Sequence, residues 1–152
     1  MNAKDWAQVK YFKETENWGS SDKMLPFLIY ELDAYRERIG IPILVTSGWR
    51  QTSKFDNSQH PLGRAVDIMF PTAKLGDLLD LCFEAMRFDF TGIGLYNYWQ
   101  LNGKTLGGLH LDCRNATDRS FWISYGAEKD QYLKFTVDNL IKYGFIPKPL
   151  IE

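Results

Sequence analysis

Leu25, Leu28, Leu32, Tyr35 and Ile39 recur at steps of three and four residues, the spacing of one apolar face on an amphipathic helix. Ser20 or Ser21 offers an N-cap for it, Asp22 suits the positive helix end, and Gly40 supplies the stop. Pro26 then falls in or just after the first turn, which strains that start. The period changes at residues 41–46, a β-branched run that reads as a buried strand. Residues 48–62 read as a long loop, and a loop of that length with little structure of its own is usually functional. A second strand is expected over 64–70. Pro71 and Thr72 open a second helix, with Leu75, Leu78, Cys82 and Met86 as its stripe. Strands at 92–96 and 109–114 follow, joined by a polar, aromatic excursion through Asn97, Tyr98, Trp99 and Gln100. A third amphipathic helix is expected over 128–143, carrying Leu133, Val137 and Leu140. Strands returning in hairpins beside segregated helices predict an α+β fold.

Composition narrows the class. At 152 residues the chain is expected to be one domain over 1–152, large enough to bury about two-thirds of its unfolded surface. The formal charge is −1 with acids and bases interspersed, so no basic stripe invites a nucleic acid. No stretch approaches a membrane span. Residues 1–20 contain Lys4, Asp5, Lys10, Lys13, Glu14 and Glu16, and no apolar run long enough for a signal peptide. Synthesis in the cytoplasm is therefore expected. Cys82 and Cys113 are far apart and form no C-x-x-C pair, so no disulfide framework is implied. Cys82 falls on a helix stripe. Cys113 alternates with Leu109 and Leu111, opposite His110 and Asp112, and reads as a buried thiol rather than a metal ligand.

The chemistry concentrates in few residues. The chain has two histidines. His60 sits in Ser58-Gln59-His60-Pro61-Leu62-Gly63-Arg64-Ala65-Val66-Asp67, and His110 in Leu109-His110-Leu111-Asp112. His60, Asp67 and His110 make a two-nitrogen, one-oxygen set suited to a catalytic zinc with an open position for water. The Pro61-Leu62-Gly63 turn would fold the chain back so that His60 meets Asp67. Asp67 lies between Val66 and Ile68, and a carboxylate in such a place is rarely buried unless it is paired or holds a metal. A bridge to Arg64 is not expected, because the two face opposite sides of a strand.

The pattern S-x-H-x-x-G-x-A-x-D with a distant histidine closely resembles the zinc D-alanyl-D-alanine carboxypeptidase family of peptidoglycan peptidases. That family shares its fold with the hedgehog signalling domain. Thr46-Ser47-Gly48-Trp49-Arg50 is similar to the family's S-G-[YW]-R element. Gly92-Ile93-Gly94-Leu95-Tyr96 with Leu109-His110-Leu111-Asp112 is similar to its closing strand pair. The resemblance covers roughly residues 20 to 115. It implies a mixed central sheet, a Zn2+ cofactor held by His60, Asp67 and His110, and a peptidoglycan peptide as substrate.

Arg50 stands at the mouth of such a site. Its donors could hold a substrate carboxylate or the oxyanion of the scissile carbonyl, a role the resemblance supports, or it is an exposed loop arginine. In family terms Ser58 would hydrogen-bond substrate or the site wall; otherwise it caps the loop. Trp49, Tyr96, Tyr98 and Trp99 either line a groove or, the preferred reading for each singly, pack in the core or rim. Several branches of the family carry an acid three residues before the last histidine ligand; here that position is Gly107. Asp112 is the nearest acid, and a general base, a partner orienting His110 and a structural carboxylate all stay open for it. The expected activity is zinc-dependent hydrolysis of an amide in stem or cross-link peptides, as in a phage or prophage lysis protein acting on the wall after release. The alternative is a zinc-containing binding module of the same fold without turnover.

Overall fold

The computed structural model describes residues 1–53, 56–126 and 131–146. Its centre is a six-stranded mixed sheet whose strands run, in spatial order, 44–47, 65–69, 108–112, 92–96, 120–125 and 131–134. The strands are β1 (Leu44–Ser47), β2 (Ala65–Met69), β3 (Gly92–Tyr96), β6 (Gly108–Asp112), β7 (Ser120–Tyr125) and β8 (Gln131–Lys134). Among the described strands only the β3–β7 pair is parallel. A small hairpin, β4 (Gln100–Leu101) with β5 (Lys104–Thr105), stands apart from it. Helices α1 (Ala3–Trp6), α2 (Pro26–Ile39), α3 (Leu78–Ala85) and α4 (Val137–Lys142) complete an α+β fold.

The two-residue period of the strands divides the sheet into unlike faces. Val66, Ile68, Ile93, Leu95, Leu109, Leu111 and Ile123 alternate onto one face and join the core with Leu28, Leu32 and Tyr35 of α2 and Cys82 of α3. The Tyr35 ring meets Phe70, Phe88 and Phe90 edge-on, and its hydroxyl donates to the Leu81 carbonyl at 2.8 Å. The opposite face carries Asp67, His110, Gly94 and Trp122 in one row across four strands. Polar chemistry sits there because the other face is full.

Element boundaries depart from the sequence expectations for local reasons. Helix α2 begins at Pro26, not at Ser20 or Ser21; those serines lead into a separate 3-10 turn, Ser21–Lys23. Proline lacks the N–H that a first helical position leaves unused, so it starts the helix better than it continues one. Gly40, at φ 69°, ends it as expected. Strand β1 starts only at Leu44, after Pro42. Helix α3 starts at Leu78, because the Asp77 carboxylate takes the Lys74 N–H at 2.8 Å and closes a 3-10 turn instead. Leu75 is thereby left exposed and off the stripe. Strand β6 stops at Asp112, and Cys113, half-buried and free, turns away to bond the Arg64 carbonyl.

The expected helix over 128–143 is right only for its last turns, Val137–Lys142. Residues 128–130 lie outside the described residues, 131–134 form β8, and helix begins only at Val137. Leu133 is in register with Ile123 of β7, so pairing against an existing strand edge overrides the helical spacing. Thr136 then caps α4, its hydroxyl accepting from the Asn139 N–H at 3.3 Å.

Candidate metal centre

His60 is placed by a turn that needs its glycine. His60–Leu62 form a 3-10 turn, and Gly63 at φ 66° returns the chain so that the Arg64 N–H bonds the Gln59 carbonyl at 3.0 Å. A Cβ at Gly63 would collide with the Lys23 carbonyl. The Ser47-Gly48-Trp49-Arg50 segment is held from behind, where the Trp49 N–H bonds the Trp18 carbonyl at 2.7 Å and Gly48 rides against the Trp18 backbone. Trp49 is not part of the site wall. Its indole donates to the Pro61 carbonyl at 3.1 Å and ties the two segments together under the Lys23 ammonium.

Three side chains converge on this frame. His60, Asp67 and His110 each offer one ligand atom, all within 4.8 Å of one another, and together they could hold a metal ion. His60 Nε2 lies 3.3 Å from Asp67 Oδ2, and His110 Nδ1 lies 2.8 Å from Asp67 Oδ1. The two rings present different nitrogens, and a neighbour of each explains the choice. His60 Nδ1 is 2.6 Å from the Gly48 carbonyl, which can only accept, so the proton sits there and Nε2 keeps its lone pair. His110 Nε2 is 3.1 Å from Asp112 Oδ2, which turns Nδ1 toward Asp67.

The donor set fits zinc. Two imidazoles and one carboxylate are a normal catalytic zinc set, and a ligating histidine usually gives its other N–H to a carbonyl or carboxylate, as both do here. His60 Nε2 is buried with no well-formed hydrogen bond, its polar neighbour being Asp67 Oδ2 at 3.3 Å, a costly state for a polar atom unless something outside the polypeptide occupies it. Electrostatics agree. Burial opposes charge on His110, but hydrogen bonds to Asp112 and Asp67 outweigh it and raise the ring to about 9. Burial likewise works against ionised Asp67, yet the hydrogen bond to His110 and the close His60 ring hold its carboxyl far below the usual range.

The set lies in an open cavity of about 940 Å³ whose walls include Arg50, Ser58, Tyr98 and Trp99. Arg50, half-exposed, has Nη1 at 3.3 Å from Ser47 Oγ and 3.8 Å from Asp67 Oδ2. Tyr96 stacks on Trp99 at 4.4 Å, and Tyr98 meets Ser124 Oγ at 3.3 Å. Asp112 is not a wall residue. It is fully buried behind His110, and hydrogen bonds from Arg114 and His110 outweigh its burial and lower it to about 2.

Sequence reasoning missed Arg114, Trp122 and Tyr132, which also line the cavity. Trp122 is 5.4 Å from the His110 ring and donates to the Tyr96 hydroxyl at 3.2 Å. Its indole occupies the space where a Cβ at Gly94 would stand. The aromatic and β-branched run Phe121-Trp122-Ile123, with Tyr125 after it, was the available signal for that strand.

A family model for Peptidase M15 matches residues 8–100. The chain belongs to the Peptidase M15 family, a zinc peptidase family of the D-alanyl-D-alanine carboxypeptidase type. The match takes in His60 and Asp67 and stops short of His110, which the β2–β6 register sets opposite Asp67. A search of curated proteins found no match.

Proposed function

We propose that this protein is a zinc peptidase that hydrolyses an amide bond in the stem or cross-link peptides of peptidoglycan. The observation that carries the reading is the convergence of His60 Nε2, Asp67 and His110 Nδ1 on the floor of a cavity, with Arg50 at its side. Zinc, when bound, lowers the pKa of a bound water toward neutrality and polarises a carbonyl. His60 Nε2 and His110 Nδ1 would be the ligating nitrogens, because the Gly48 carbonyl and the Asp112 carboxylate sit against the other nitrogen of each ring. The Arg50 guanidinium binds a substrate carboxylate or steadies the charge that develops on the scissile oxygen. Ser58 offers a hydroxyl to the peptide backbone from the loop side of the cavity. Nucleic acid is not a partner in this reading. Release to the wall as a phage or prophage lysis protein fits it, and among the described residues no helix is long and apolar enough to cross a membrane.

A second reading, a zinc-containing binding module without turnover, is favoured by one observation. Asp67 is the only acid among the described residues lining the cavity, and Gly107 has no side chain to offer. One experiment separates the two. Zinc-loaded protein incubated with muropeptides should yield fragments that mass spectrometry identifies by the added water. Muropeptides recovered intact would leave the binding module. Arg50→Ala should then lower turnover about a hundred- to a thousandfold, the usual cost of one oxyanion donor, with zinc content unchanged. Wild-type turnover in that variant would make Arg50 a loop residue only.

A further inference from the structure

We infer that Arg114 is a positioning residue of the metal site, acting on His110 through Asp112; the inference rests on the zinc reading above. Arg114 grips both carboxylate oxygens, with Nε at 2.9 Å from Oδ1 and Nη2 at 2.5 Å from Oδ2. Its backbone N–H adds a third bond to Oδ1 at 3.1 Å. So held, Asp112 is an acceptor fixed in orientation, and the free direction of Oδ2 meets His110 Nε2 at 3.1 Å. That ring nitrogen is therefore the N–H, and Nδ1 is left to face Asp67 at 2.8 Å.

The surroundings keep the arginine in place. Its guanidinium lies 5.3 Å from the Trp122 ring, and Trp122 in turn lies 5.4 Å from His110. Glycines make the room for this layer: a Cβ at Gly92 would collide with the Asp112 carboxylate, and one at Gly94 with the Trp122 indole. An aspartate two residues past a ligand faces the same way as that ligand, but nothing in a strand stops its carboxylate rotating. Arg114 is what stops it. Without the fork, Asp112 keeps only the Arg114 backbone N–H on Oδ1, and Oδ2 loses the hold that aims it at Nε2 and selects the His110 tautomer.

The test measures zinc affinity by competition with a chromophoric chelator for the full chain, Arg114→Met, Asp112→Asn and the double variant. In parallel, 15N spectra of the zinc-loaded proteins report the ring nitrogens, and with two histidines in the chain the assignment is direct. Arg114→Met should weaken zinc roughly ten- to a hundredfold, as losing a ligand's supporting partner does. The double variant should bind no more weakly than Asp112→Asn, because both changes break one chain of contacts. The His110 Nε2–H signal should broaden or move while the His60 signals stay. Should Arg114→Met fail to fold, Arg114→Lys keeps the charge, gives up the fork, and is read in the same way. Wild-type zinc affinity with unchanged His110 signals in the Arg114 variant overturns the inference, as do fully additive losses in the double variant. A wild-type chain that takes up no zinc overturns the zinc reading itself, so the two failures are told apart.

Discussion

His60→Ala or His110→Ala should leave the protein without bound metal. Each substitution reduces three converging ligands to one imidazole and one carboxylate, and catalytic zinc sites normally keep three protein ligands. The loss should exceed the roughly ten- to hundredfold cost of removing a supporting partner, because the metal-bound atom itself disappears. Metal analysis after gel filtration without chelator checks this, with circular dichroism to show that the fold persists. Both variants keeping one zinc per chain would mean that the metal sits elsewhere. The pH dependence has a definite sign. His110 in the metal-free protein holds its proton up to about 9, so zinc must displace it, and affinity should fall as pH drops below that value. The raised ring also stabilises the metal-free protein below its ordinary 6.5, and that contribution should fade as pH rises through about 9.

The parts of this site that were legible in the sequence are those that short-range geometry dictates. Seven positions separate His60 from Asp67, and the turn at Pro61-Leu62-Gly63 folds them together without any distant contact. The alternation in Leu109-His110-Leu111-Asp112 puts His110 and Asp112 on one face whatever the strand pairs with. The helix stripe of Leu28, Leu32 and Tyr35 was legible for the same reason. Arg114 was hidden by an expected strand end two residues too far along, which made it one more alternating residue rather than a clamp on Asp112.

Trp122 and Tyr132 were illegible for a different reason. β7 joins β3 in parallel, and β8 then pairs onto β7, so both aromatics reach the cavity only through partners distant in sequence. Leu133, Val137 and Leu140 sit at helical spacing, yet Leu133 belongs to a strand and Val137 is exposed. Offsets of four and seven fit a helix alone, and it was the open edge of β7 that drew residues 131–134 into a strand.

Gly107→Glu, which places an acid three residues before His110 as other branches of the family have it, should destabilise the fold instead of supplying a base. Gly107 sits at φ 68°, with its N–H on the Trp99 carbonyl at 3.0 Å. A Cβ there would lie 2.5 Å from Leu78 Cδ2 and 2.6 Å from the Tyr96 carbonyl oxygen. Left-handed backbone costs a side-chain-bearing residue about 1–2 kcal/mol and overpacking about 1–3 kcal/mol more. At roughly 2–4 °C per kcal/mol for a domain of this size, the melting temperature should fall by about 4–20 °C. The chain path itself thus excludes an acid at this position: Leu78 of α3 and the end of β3 fill the space the side chain would need. Thermal unfolding of the metal-free and zinc-loaded variant, followed by the muropeptide assay, checks the point. A variant that melts like wild type and turns over faster would show that the Gly107 backbone adapts, and that a missing base had limited the enzyme.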